Sequence, residues 1–160
     1  MDRLWTPWRY QYINRSAPAP GCIFCLKAAD GDDNSNFIVH RGERNFVLLN
    51  LFPYSCGHLL IGPYDHVDTL AGATGETAVE MMALTRKAEG VLRAVYRCPG
   101  LNLGMNLGEC AGAGVAGHIH MHLVPRWPGD ANFMTATAET RVLPEDLSVT
   151  LARVRQGWGD

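Results

Sequence analysis

Apolar and polar positions alternate most sharply in residues 117 to 127, GHIHMHLVPRW, where Ile119, Met121, Leu123 and Val124 are interleaved with His118, His120 and His122. Successive side chains of a strand point to opposite faces, so this spacing predicts a strand with an apolar back on a core and three imidazoles on one solvent-reachable front. A helix would spread such positions around its axis. Shorter β-type runs occupy Phe37 to Arg41 and Asn45 to Leu49, joined by a Gly42-containing turn suited to a hairpin, and recur at His58 to Ile61 and Leu101 to Leu107. Over residues 76 to 97 the period changes: Met81, Leu84, Ala88, Val91, Leu92 and Val95 fall at helical spacing, and Met81 and Met82 read as core. Glu76 and Glu80 lie early, Arg93 and Arg97 late, and Pro99-Gly100 ends the run. Pro144-Glu145-Asp146 reads as a further helix start, with Leu147, Leu151 and Val154 on one side. These elements predict an α+β fold: about five strands in an antiparallel sheet, one long helix and a short C-terminal helix.

At 160 residues the chain is expected to form one domain, able to bury about two-thirds of its unfolded surface without a metal or disulfide. Residues 1 to 21 divide from the core at 22 to 160 as an aromatic arm, with Trp5, Trp8, Tyr10 and Tyr12, and a linker, SAPAPG. The arm is expected to dock on the domain or on a second subunit. The 14 basic and 16 acidic residues give a net charge of −2, which speaks against nucleic acid or an anionic membrane as partner. No run approaches the ~18 apolar residues of a membrane span, and the start MDRLWTPWRYQYI lacks a signal-type apolar region. The expectation is a soluble, cytoplasmic protein.

Three imidazoles on one strand face are poorly explained by packing, because each enclosed ring needs hydrogen-bond partners; the alternative is a chance cluster. Imidazole can serve as metal ligand, general acid or base, or nucleophile. Cys22 and Cys25 form a CxxC, half of a tetrahedral zinc site. A redox CxxC should follow a strand and open a helix, whereas a Pro-rich linker precedes this one, which favours zinc. GECAGAGVAG, residues 108 to 117, holds four glycines in ten residues. Such a loop lets backbone amides approach a phosphate closely, or it is only a tight connection between strands.

His118-Ile119-His120-Met121-His122-Leu123-Val124 matches the pattern His-φ-His-φ-His-φ-φ, φ being apolar, at all seven positions, and on this stretch the chain resembles the histidine triad family. The strings LWTPWR, PRW and PGDANFM, the last at 128 to 134, are similar to the branch acting on diadenosine polyphosphates, including bacterial diadenosine tetraphosphate phosphorylases. The likeness runs from Leu4 to about Val154. It implies the α+β sheet fold, a homodimer, and a nucleotide substrate cut at its α-phosphate. His120 would be the nucleophile, forming a nucleotidyl-histidine, and His122 would bond the phosphate oxygens.

The same resemblance implies that Asn50 meets the ribose hydroxyls, the alternative being an Asx turn at a strand end. His58 would lie near the triad or satisfy backbone groups. Asn106, Gly108 and Gly112 match the family's phosphate-loop pattern N-x-G-x-x-x-G, but Ala113-Gly114 stands where relatives often carry a Gln-Ser or Gly-Ser pair whose hydroxyl assists the leaving phosphate. Relatives with a CxxC imply a structural zinc on Cys22, Cys25, His66 and His118, so His118 need not be catalytic. Mg²⁺ carried on the polyphosphate is compatible with this scheme. Arg126 either adds charge or is structural. Inorganic phosphate is favoured over water as second nucleophile. The rival readings are a nucleoside phosphoramidase or dinucleoside triphosphate hydrolase, a nucleotide-binding regulatory module with little turnover, and a zinc protein whose histidines are ligands.

Overall fold

The computed structural model of the protein describes residues 21–130 and 145–159. The aromatic arm and most of its linker, the end of PGDANFM from residue 131, and Pro144 lie outside them. The elements are α1 (Ile23–Ala29), β1 (Ile38–Arg41), β2 (Asn45–Leu49), β3 (Leu59–Pro63), α2 (Gly75–Tyr96), β4 (Gly100–Gly104), β5 (Met121–Arg126) and α3 (Leu147–Trp158). The five strands form one sheet in the order β1-β2-β3-β5-β4, and every neighbouring pair is antiparallel.

Both faces of the sheet are covered, and the two-residue period of the strands sorts the side chains between them. Val47, Leu49, Leu59, Ile61 and Leu123 join Met81, Leu84, Ala88, Leu92, Leu151 and Val154 in the core beneath α2 and α3. Phe46, Leu48 and Leu60 point the other way and pack on Phe24 of α1. Leu60 faces His122 across the β3–β5 ladder, and Gly104 faces it from β4. The face covered by α1 is therefore the face that carries histidines.

Several expectations are corrected here. The long helix forms as its period predicts, with Thr74 as N-cap, but Met82 is exposed while Met81 is core. Beneath the C-terminal helix it is Asp146 that caps, its side chain accepting from Ser148 N–H. The strand expected over Leu101 to Leu107 ends at Gly104. The triad is also not wholly in a strand: β5 begins at Met121, so His118 and His120 precede it. The β3–β5 ladder stops at the Ile61–Met121 pair. The alternation nonetheless persists, because Ile119 is still buried in the helix-side core, and its N–H bonds to Val67 O at 2.8 Å. A short helix after Cys22 was not expected from the sequence.

The β1–β2 turn is latched to α2 by Glu80. Its carboxylate accepts from the N–H groups of Glu43 and Arg44 at 2.7 and 2.8 Å and from Asn45 Nδ2 at 2.7 Å. A Cβ at Gly42 would come within 2.8 Å of that carboxylate, so glycine is required for the approach. Burial alone would raise the Glu80 carboxyl, but the Asn45 amide and the two backbone donors outweigh it and hold the group below its ordinary value. A depressed acid stabilises the fold above its unfolded value of about 4.3, and this is lost as pH falls through the folded value. Glu80→Gln is expected to cost about 2 kcal/mol at pH 7, read as a thermal shift of about 4–8 °C. The gap should narrow in acid; equal melting at pH 7 would refute the latch.

At the far edge, Arg155 of α3 donates from Nε and Nη2 to the Ile38 carbonyl of β1, at 3.1 and 2.6 Å.

Candidate active site

Two clusters share the histidine-bearing face, and His118 stands where they meet. The first cluster joins Cys22, which precedes α1, and Cys25, within it, to His66 and His118, the four ligand atoms lying within 4.8 Å of one another. The Sγ of Cys22 is 3.3 Å from His118 Nδ1, and that of Cys25 is 3.4 Å from His66 Nδ1 and 3.6 Å from His118 Nδ1. The two Nδ1 atoms are 3.3 Å apart. A tetrahedral zinc shell, with Zn–S about 2.3 Å and Zn–N about 2.0 Å, has S···N edges of about 3.5 Å and N···N edges of about 3.3 Å. The four residues fit such an ion. The tautomer fits as well: His118 Nε2 lies 2.9 Å from the Pro63 carbonyl, which can only accept, so the proton is on Nε2 and Nδ1 turns its lone pair into the cluster. The CxxC opens a helix, Cys22 being its N-cap.

The second cluster is His120, His122 and His58. His120 is almost fully buried, and its Nδ1 lies 2.9 Å from the carbonyl of His118. That carbonyl forces the proton onto Nδ1 and leaves a lone pair on Nε2. The geometry depends on His118 lying ahead of the paired strand, which leaves its carbonyl to the ring. Phe24 stacks on both rings, with centroids 5.0 Å from His118 and 4.7 Å from His120. Burial pushes the imidazolium of His120 down against the opposing pull of the carbonyl, so the ring is neutral near pH 7.

His58 sets the tautomer of His122. The Tyr54 N–H, which can only donate, lies 3.1 Å from His58 Nδ1, with Asn50 Nδ2 at 3.3 Å. His58 therefore carries its proton on Nε2 and donates it to His122 Nδ1 at 2.9 Å. His122 is left with its proton on Nε2. Burial first, and then the neighbouring His120, push its pKa down to about 4. The ring centroids of His120 and His122 are 4.8 Å apart, so a neutral lone pair and a neutral donor stand side by side.

His58 is held by a turn that only glycine can make. Gly57 has φ +78°, and a Cβ there would meet the Tyr96 ring at 2.9 Å. The role of His58 was open at the sequence level, and the strand expected from His58 begins one residue later, at Leu59; its sequence signal is that it lies two residues before Leu60, whose strand pairs with β5. Asn50 Oδ1 accepts from Phe52 N–H at 2.9 Å, which is an Asx turn, and each amide atom retains capacity for a second bond. Gly108 and Gly112 both adopt φ of +85° around a 3₁₀ turn at Glu109–Ala111, and Asn106 Nδ2 bonds the Gly112 carbonyl at 3.3 Å. Asn106 thus ties the entry of the glycine loop to Gly112 within it, while Ala113 and Gly114 bring no hydroxyl to it. Arg126 is bound by both oxygens of Asp130, at 2.6 and 2.8 Å, and by Asn102 at 2.7 Å, which makes it structural.

An antiparallel sheet with paired histidines on one face and a Cys₂His₂ cluster at its end defines a small histidine-cluster α+β protein. The chain belongs to the HIT domain family, whose model matches residues 32–129. It is 38% identical over 166 residues to the AP-4-A phosphorylase of Mycobacterium tuberculosis, covering 99% of this chain and 85% of that protein. It is 29% identical over 93 residues to the asymmetrical bis(5'-nucleosyl)-tetraphosphatase of Schizosaccharomyces pombe, covering 58% of this chain and 50% of that one. Among solved structures, it resembles a Zn-bound histidine triad family protein from Mycobacterium smegmatis, with a TM-score of 0.70 and 27% identity, over 86% of this chain and 93% of the other.

Proposed function

We propose that this chain is an enzyme that cleaves dinucleoside polyphosphates at an α-phosphate, with diadenosine tetraphosphate as substrate and inorganic phosphate as second reactant. The observation that carries the reading is the fixed pair of neutral imidazoles, His120 with its lone pair on Nε2 and His122 with its proton on Nε2. Their neighbour in sequence space, the phosphorylase that matches nearly the whole chain, supports the choice of substrate.

The Nε2 lone pair of His120 attacks the α-phosphorus. A nitrogen–phosphorus bond forms as the bond to the bridging oxygen breaks, and ATP leaves with that electron pair. The two-step route divides one difficult displacement into two. The His122 Nε2–H and the amides of Gly108 and Gly114, in the loop that Asn106 organises, bond the phosphate oxygens during the displacement, while the Gly112 and Ala113 N–H groups donate to the Glu109 and Gly108 carbonyls and hold the loop's shape. Asn50 offers its remaining donor and acceptor to the ribose. Phosphate then attacks the adduct, ADP departs, and His120 regains its lone pair. Mg²⁺ travels with the polyphosphate.

Cys22, Cys25, His66 and His118 would hold zinc, whose contribution is to fix the segment ending in His118. His118 therefore positions the nucleophile through its carbonyl and does not react. A homodimer is supported by β4, an edge strand whose Leu103 is half exposed, with exposed Leu107 just beyond it. No helix among the described residues is long and apolar enough to cross a membrane. The chain is read as one domain over residues 1–160, acting in the cytoplasm.

Chromatography of products at increasing phosphate tests the reading. ATP is expected throughout, with ADP rising at the expense of AMP. AMP at every phosphate concentration would make the protein a hydrolase. No cleavage would favour a regulatory nucleotide-binding module, for which the missing hydroxyl at Ala113-Gly114 is the specific support.

A further inference from the structure

We propose that Tyr54 is a positioning residue for this reaction, its aromatic ring forming the outer wall that keeps the His58–His122 pair dry and in one tautomer. The inference rests on the nucleotidyl-transfer reading above. Tyr54 touches the pair in two independent ways. Its backbone N–H bonds His58 Nδ1 at 3.1 Å. Its ring lies over both imidazoles, with centroids 4.7 Å from His58, tilted by 43°, and 6.2 Å from His122, nearly parallel at 10°. His58 is 1% exposed and the Tyr54 residue 49%, so the ring stands between a buried imidazole and solvent.

The chemistry gives that wall a purpose. The 2.9 Å bond from His58 Nε2 to His122 Nδ1 is what places the His122 proton on the atom that donates to substrate. Water reaching this bond would compete for it and lower the cost of charging His122, because burial is the main force holding that ring neutral. A proton on His122 Nδ1 would face the Nε2–H of His58, two donors with no acceptor between them, and the rings would part. Among the described residues, the titratable groups that face His122 are His58, just ahead of β3, His120, from its own segment, and the phenol of Tyr54 itself. The wall is the face of the ring, so the hydroxyl is dispensable.

The backbone donor survives any side-chain change at residue 54, and the half-exposed ring can be removed without opening the core. Tyr54→Ser and Tyr54→Phe therefore separate the ring from the rest. In zinc-loaded, substrate-free protein labelled with ¹⁵N-histidine, His122 is expected to stay neutral with Nε2 protonated to near pH 4 in the native chain. Tyr54→Phe should match it. Tyr54→Ser should move the titration up by about one unit or more, toward the ordinary value of about 6.5, and mix the tautomers. With diadenosine tetraphosphate, Tyr54→Ser should lower kcat at pH 6 by up to about fourfold, as a titration moved to about 6.5 requires, while KM changes by less than about twofold, and Tyr54→Phe should restore it. An unshifted His122 titration in Tyr54→Ser, or an equal loss in Tyr54→Phe, would overturn the proposal. A native protein that does not turn over would sink the proposed reaction instead, and the imidazole titration would still decide whether Tyr54 holds the pair.

Discussion

Replacing His120 by alanine is expected to lower cleavage of diadenosine tetraphosphate by about 10⁴-fold or more while leaving the fold intact. The size follows from the chemistry: without the Nε2 lone pair no nitrogen–phosphorus bond forms, and both half-reactions are lost together. The fold should survive because the ring packs on Phe24 and bonds one carbonyl, and no strand or helix depends on it. Acid quenching during turnover of the native enzyme should trap an acid-labile nucleotidyl adduct on residue 120. Near-native turnover by His120→Ala would remove this residue as nucleophile, and an adduct elsewhere would relocate it.

Loss of the zinc ligands is expected to have the second large effect. Cys22→Ser should take metal content from about one zinc per chain to near none and lower the melting temperature by about 10 °C or more, since binding to a site absent from the unfolded chain is folding free energy. Activity should fall as well, although no zinc ligand touches substrate in the proposed scheme. His118 is joined to the nucleophile through its own carbonyl, so releasing its ring frees the acceptor that fixes the His120 tautomer. Metal analysis of protein purified without chelators, beside a thermal melt, makes the check. A metal-free native protein, or Cys22 and Cys25 joined in a disulfide, would contradict it.

Much of this was legible in the sequence where a period or a spacing carried it. The helical repeat from Met81 to Val95 gave α2, and the alternation around the triad gave the buried Ile119 and Leu123 on one face with the histidines on the other. What the alternation could not reveal is where hydrogen-bonded pairing stops. Strand geometry at His118 and His120 looks the same in sequence whether or not a neighbour is alongside, yet the tautomer of the nucleophile depends on the unpaired carbonyl. For a related reason the sequence left open whether His58 lies near the triad, and it did not single out Tyr54: their roles arise from contact between segments 64 residues apart in the case of His58 and His122. Helix α1 is seven residues long, too short for a periodic signal, and is held by Phe24 packing against the sheet.

The two margins of the sheet are not alike. At β1 the guanidinium of Arg155 occupies the Ile38 carbonyl, whereas β4 ends the other side with its middle residues exposed. A sheet that could recruit strands at both margins would have no reason to stop, and concentrated protein would be at risk of open-ended stacking into fibres. A pairing of two copies at β4, as proposed above, would leave at each end a β1 margin whose Ile38 carbonyl Arg155 already holds, which works against further strand addition.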